Sequence, residues 1–188
     1  MSRNRLFLIV GVVVALGVGA WLYLRSGAEN TAVDLIKEFP TPKDAAKDRR
    51  PAPDAFSLID ATLNGDTKKA IFMKALAGTR MTFHETIPDN GWLKVSYGIL
   101  EDGWKVQGDG VLFRIGIGDG KAYDELLSIT VNPFANPADR RWNDVMLDLS
   151  QYAGETVDII FNTNSSTGGR DDRNGDLAVW GDPRIIVR

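Results

Sequence analysis

From residue 56 onward the chain alternates apolar and polar positions with period two, in one short run after another. In RMTFHETI, Met81, Phe83 and Ile87 fall on one face, while Thr82, His84 and Thr86 fall on the other. This puts the single histidine of the chain on the wet side. The alternation returns with Leu93, Val95, Tyr97 and Ile99, then with Val111, Phe113, Ile115 and Ile117, and again with Leu127, Ile129 and Val131. Val145, Leu147 and Leu149 follow, then Val157, Ile159 and Phe161. Between the runs stand turn formers: Pro88-Asp89-Asn90-Gly91, Gly108-Asp109-Gly110, Asp119-Gly120, Asn132-Pro133 and Ala153-Gly154. Each run supplies one apolar face, and past residue 55 no helical period interrupts them. The pattern predicts an all-β fold, an antiparallel β-sandwich of the jelly-roll type, over residues 55–188.

The first residues follow a different pattern. Residues 6–24, LFLIVGVVVALGVGAWLYL, carry no charge and would measure about 28 Å as a helix, close to the hydrocarbon thickness of a bilayer. Arg3 and Arg5 precede the run, so the positive-inside rule leaves residues 1–5 in the cytoplasm. These features predict a single-pass signal anchor in a bacterial inner membrane, with the C-terminal domain periplasmic or otherwise extracytoplasmic. A signal peptide cleaved near Ala28 is the alternative; the length of the run and the interfacial Trp21 and Tyr23 speak against it. Within the span Gly11, Ala15 and Gly19 lie four residues apart, a stripe of small side chains along which another helix packs closely.

Residues 25–54 hold prolines at 40, 42, 51 and 53 among mixed charges and read as an extended tether, broken by a short helix near 32–39.

Composition narrows the chemistry. The chain of 188 residues has 25 acidic and 22 basic side chains, and the bases are scattered rather than interleaved with aromatics, so nucleic acid is not an expected partner. No cysteine is present, which removes disulfides and thiol nucleophiles. One histidine and no nucleophile elbow leave no recognisable catalytic set, and the chain is not expected to be an enzyme. The glycine-rich GDG and GIGDG stretches precede no helical pattern, so they read as hairpin turns and not as phosphate loops. Trp92, Trp104, Trp142 and Trp180 admit two readings, a sugar-stacking platform or the sealing of a sandwich core; Trp142 and Trp180, at strand ends, favour the second.

Taken together, WLKVSYGILEDGW, GDGVLFRIGI, the stretch from Trp142 to Gly154 and the closing Trp180-Gly181-Asp182-Pro183 resemble the galactose-binding-like jelly rolls related to bacterial carbohydrate-binding modules. The resemblance covers about residues 66–188. It implies binding rather than catalysis and, in some members, a structural calcium; it brings no sugar-contacting residue with it. In GGRDDRNGD the residues Asp172, Asn174 and Asp176 have the spacing that begins a calcium loop, but Leu177 stands where such a loop needs glycine and Pro183 where it needs glutamate. A polar turn on Asn174-Gly175 is the reading preferred, and no cofactor is expected beyond that calcium option. Two functions remain in view. The one preferred is an accessory or assembly subunit docked on other membrane-protein subunits, because a sugar-binding module usually serves a catalytic neighbour on the same chain and none is read in this sequence. The other is an envelope-anchored carbohydrate-binding module with glycan as partner.

Overall fold

The computed structural model describes residues 30–39, 55–75, 80–118, 122–165 and 172–188. The chain forms two compact units, Met1–Asn30 and Thr31–Arg188. The second unit is an antiparallel β-sandwich. The expected membrane span and its Gly11, Ala15 and Gly19 stripe lie outside the described residues; among those described, no helix is long and apolar enough to cross a membrane.

Among the described residues ten strands build two sheets, and the alternation of the sequence accounts for their inner faces. One sheet runs in the order β2 (Phe56–Leu63), β3 (Asp66–Met73), β10 (Ala178–Val187), β5 (Gly91–Ile99), β8 (Asn143–Asp148), with β1 (Asn30–Asp34) also paired to β10. The other runs β4 (Arg80–Thr86), β9 (Thr156–Asn164), β6 (Val111–Gly118), β7 (Tyr123–Val131). Met81, Phe83, Leu93, Val95, Ile115, Ile159 and Phe161 are buried between them, as the period-two pattern requires. Ile129 departs from the pattern: β7 is an edge strand, so its side chain is 39% exposed.

Trp180 is the centre of the core. Its indole lies edge-to-face on Phe113 and on Phe161, each at 5.0 Å between ring centroids, and Tyr97 closes the cluster at 6.1 Å. Trp142 is buried on the outer side of the six-stranded sheet, where its Nε1 donates to the Asp66 carbonyl at 2.9 Å. Trp104 donates to the Ile99 carbonyl at 2.7 Å, and the Arg188 guanidinium sits 5.9 Å above the Trp92 ring. Trp104 and Trp142 border one small apolar cluster, Trp180 fills the core and Trp92 lies under Arg188, so the four form no common platform.

The stretch Trp180-Gly181-Asp182-Pro183 makes a β-bulge. Gly181 pairs with Ser96 and Arg184 with Lys94, so β10 inserts one extra residue, and Asp182 adopts φ +50° to accommodate it. The Pro183 carbonyl turns outward and accepts the Leu35 N–H at 3.1 Å.

That bond marks a departure from the expected short helix near 32–39. Here the chain forms strand β1 and then a turn, in which Asp34 accepts the Ile36 N–H on its side chain at 3.1 Å and the Lys37 N–H on its carbonyl at 3.0 Å. Eight residues are too few to hold an isolated helix, whereas docking on β10 buries Leu35 completely. Sheet pairing therefore decides the local structure.

Candidate functional site

Three strands of the four-stranded sheet bring a row of polar groups to its outer face. Arg80 on β4 is the register partner of Asn162 on β9, and Asn162 is the partner of Arg114 on β6. The next row holds Thr82, Ile160, Gly116 and Glu125; the third holds His84, Asp158, Gly118 and Tyr123. Side chains of alternate residues share a face, so these rows form one surface.

Two glycines in β6 turn part of that surface into a trough. Gly116 carries no side chain because Tyr123 covers it: a Cβ there would lie inside the contact distance of Tyr123 Cζ and Cε2, and 2.5 Å from its hydroxyl. The ring remains 49% exposed, so it presents an open aromatic face. A bulge between Ile115 and Gly116 shifts the β7 register and brings Tyr123 over the trough. The start of β7 is held by Asp124, whose carboxylate accepts the Tyr152 hydroxyl at 2.5 Å and the Gln151 amide at 3.2 Å.

The resulting groove has a volume of about 420 Å³ and is lined by Arg80, Arg114, Tyr123, Ile160, Asn162 and Asn164. Arg114 is engaged: its Nε donates to Glu125 Oε2 at 2.6 Å, and a terminal nitrogen contacts the same oxygen. Beyond the groove, His84 Nδ1 stands 2.8 Å from Asp158 Oδ1, and the Thr86 and Thr156 hydroxyls meet at 2.8 Å. An exposed aromatic ring, an apolar floor and convergent amide and guanidinium donors make a surface on which a polar ring compound can stack and be hydrogen-bonded.

A second depression, of about 380 Å³, lies on the outer face of the six-stranded sheet among Lys68, Lys94, Ser96, Asp144, Asp182 and Arg184. Its groups are spent on one another. Ser96 donates to Asp144 Oδ1 at 2.5 Å, Lys68 reaches Asp144 at 3.4 Å and Asp66 at 3.5 Å, and Arg184 pairs with Asp182 at 2.5 Å. The Ser96 hydrogen bond, aided by the Lys68 and Lys94 charges, holds the Asp144 carboxyl below the usual carboxylate range. Trp142 is sealed beneath Lys68, 5.9 Å from its ammonium, so no aromatic face is open here.

The loop of Asp172, Asn174 and Asp176 packs against the turn after β5. Gly103 and Gly108 have no side chains because the Gly175 and Asn174 carbonyls occupy that space. Asp172 Oδ1 accepts the Asn174 N–H at 3.0 Å, Gly175 takes φ +73°, and Asp176 is largely buried. This is the geometry of a polar turn. One Asp172 oxygen is committed to the backbone, and among the described residues no three acidic or histidine side chains gather as a metal cluster.

Sequence reasoning did not single out the groove. Its signal lay in the glycines of VLFRIGIG followed by Tyr123: glycine in a strand interior marks a close approach by something else.

Comparison with known proteins supports this architecture. No protein-family model matches the chain. A curated relative, an uncharacterised protein of Archaeoglobus fulgidus, is 39% identical over 126 residues, which cover 64% of this chain and 31% of that protein. The chain thus spans about a third of the relative it matches. Among solved structures, the M60 catalytic domain with the CBM51-1 and CBM51-2 domains of Clostridium perfringens ZmpB matches with TM-score 0.50 at 16% identity, over 70% of this chain and 12% of that one. The CBM51-2 domain of the same protein, described with its INT domains and in complex with GlcNAc, matches with TM-score 0.50 at 15% identity, over 70% of this chain and 25% of that one. The chain shares the antiparallel β-sandwich fold of these CBM51 domains.

Proposed function

We propose that the sandwich is a non-catalytic glycan-binding module, that the groove on the outer face of its four-stranded sheet is the sugar site, and that residues 6–24 anchor it in a membrane. The observation that carries the reading is the Tyr123 ring, held over Gly116 with one face open and with Arg114, Asn162 and Asn164 beside it. A pyranose has an apolar face for the ring and hydroxyls for the amides. Likeness in fold to a domain described in complex with GlcNAc supports binding of a sugar over docking as an accessory subunit. Glycan is then the partner that the soluble face meets, and the bilayer holds the other end. The uncharged run of residues 6–24 behind Arg3 and Arg5 motivates an orientation with the sandwich outside the cytoplasm.

The test is a glycan array probed with the full chain in mild detergent, with and without calcium. Selective binding that survives chelation is expected. Absence of binding to every glycan in both conditions would overturn the reading.

A further inference from the structure

Resting on that reading, we propose that the groove selects an anionic glycan, one bearing a carboxylate or a sulfate, and that Arg80 is the residue that makes the selection. Every hydroxyl of a neutral sugar both donates and accepts, so a site for such a sugar needs acceptors as well as donors. Here the lining residues hold two guanidinium groups, which only donate. The carboxylate next to them, Glu125, gives its Oε2 to two nitrogens of Arg114. Asp158 lies four residues along β9 from Asn162, about 13 Å away at the usual rise of a strand. The lining acceptors are the amide oxygens of Asn162 and Asn164 and the Tyr123 hydroxyl, so the donors, five on the Arg80 guanidinium alone, are in excess.

Charge points the same way. Arg114 is neutralised by Glu125, whereas the Arg80 side chain makes no ion pair or hydrogen bond among the described residues. Among the described residues that line it, the groove therefore carries one uncompensated positive charge, in a chain whose formal net charge is −3. Polyanions are repelled by the molecule as a whole and attracted at this place. Register supplies the geometry: Arg80 and Arg114 flank Asn162 across three neighbouring strands, so their Cα atoms lie about 10 Å apart at the usual strand spacing. An anionic group over Asn162 meets a guanidinium on either side. Gly116, under the Tyr123 ring, is two residues along β6 from Arg114, about 7 Å. A sugar ring on Tyr123 thus directs a charged substituent toward Arg80 and Arg114.

The experiment compares matched pairs of probes on the full chain in detergent by microscale thermophoresis. The pairs are tetragalacturonate against its carboxyl-reduced form, sialyllactose against lactose, and a sulfated galactan oligosaccharide against the desulfated one. The charged member of at least one pair is expected to bind about tenfold or more tightly than the neutral one. Arg80→Gln should abolish that preference at unchanged Tm, and Lys69→Gln, on the opposite sheet, should keep it. Which pair shows the preference tells uronate, sialate and sulfate apart. Equal or tighter binding of the neutral members, or a preference that survives Arg80→Gln, would overturn the proposal and leave the glycan reading standing. Should no glycan of either kind bind, both fall together.

Discussion

The phenol of Tyr123 occupies the space where Gly116 would carry a Cβ. The ring is at the far end of a flexible, half-exposed side chain, so it can swing aside at little cost. Gly116→Ala is therefore expected to change stability by no more than about 1 kcal/mol, since alanine is also the better strand residue. Glycan affinity should fall about tenfold, because the displaced ring no longer offers its face over the trough. Thermal melting and a glycan titration on the same sample check both halves.

The opposite sheet gives the contrasting case. A Cβ at Gly181 would stand 2.8 Å and 2.9 Å from two ring carbons of Trp142 and 3.2 Å from Lys68 Cδ. Trp142 is buried and tied by its indole N–H, so it cannot yield as Tyr123 does. Gly181→Ala should cost about 1–3 kcal/mol by overpacking, with glycan affinity of the folded fraction unchanged. Denaturant unfolding measures the first, and titration below the transition measures the second.

Leu35 ties residues 30–39 to the sandwich. It is fully buried, and Val33, Ile36 and Phe39 pack on the same core. Replacing it by alanine should destabilise the domain by about 2–5 kcal/mol. A chain started at residue 54 should melt well below one started at residue 30, as calorimetry of the two would show. Equal melting temperatures would mean that β1 contributes nothing.

Asp144 links stability to pH. Its folded pKa is depressed by the Ser96 hydrogen bond first and by the Lys68 charge, so the stabilisation is present above the unfolded carboxylate value, about 3.9, and is lost as pH falls through the folded value. The Asp144 side chain is 68% exposed, and solvent screening keeps the contribution under about 1 kcal/mol. Ser96→Ala should lower Tm most near pH 7, and the difference from the parent protein should narrow toward pH 3. A gap that is constant over that range would show that the lost hydroxyl acts through packing alone.

The inner faces of the sandwich were legible in the sequence because side-chain period two has one physical cause, a pleated strand with one wet side. Met81, Phe83, Val111, Phe113, Ile159 and Phe161 were all assigned to the core by that rule, and all are buried. Turn chemistry was legible too: Gly110, Gly154 and Gly175 take positive φ where the turns were expected. Strand β1 was hidden, since it pairs with β10, the last strand of the chain, and the Leu35 N–H that follows it bonds a carbonyl 148 residues away. The groove was hidden for a related reason. It depends on register across four strands and on the bulge that brings Tyr123 to Gly116, and neither leaves a periodic trace. Asp172, Asn174 and Asp176 share a spacing with metal loops; in the structure they belong to a turn packed on Gly103 and Gly108, a contact that only the fold creates.

The most direct test of the account is the affinity of the full chain for the strongest glycan on the array, measured for the parent protein and for Tyr123→Ala at equal Tm. The account predicts a loss of about tenfold or more, the scale of one stacked aromatic at the centre of a small site. Undiminished affinity in a folded Tyr123→Ala protein would contradict it and move the sugar site off this face.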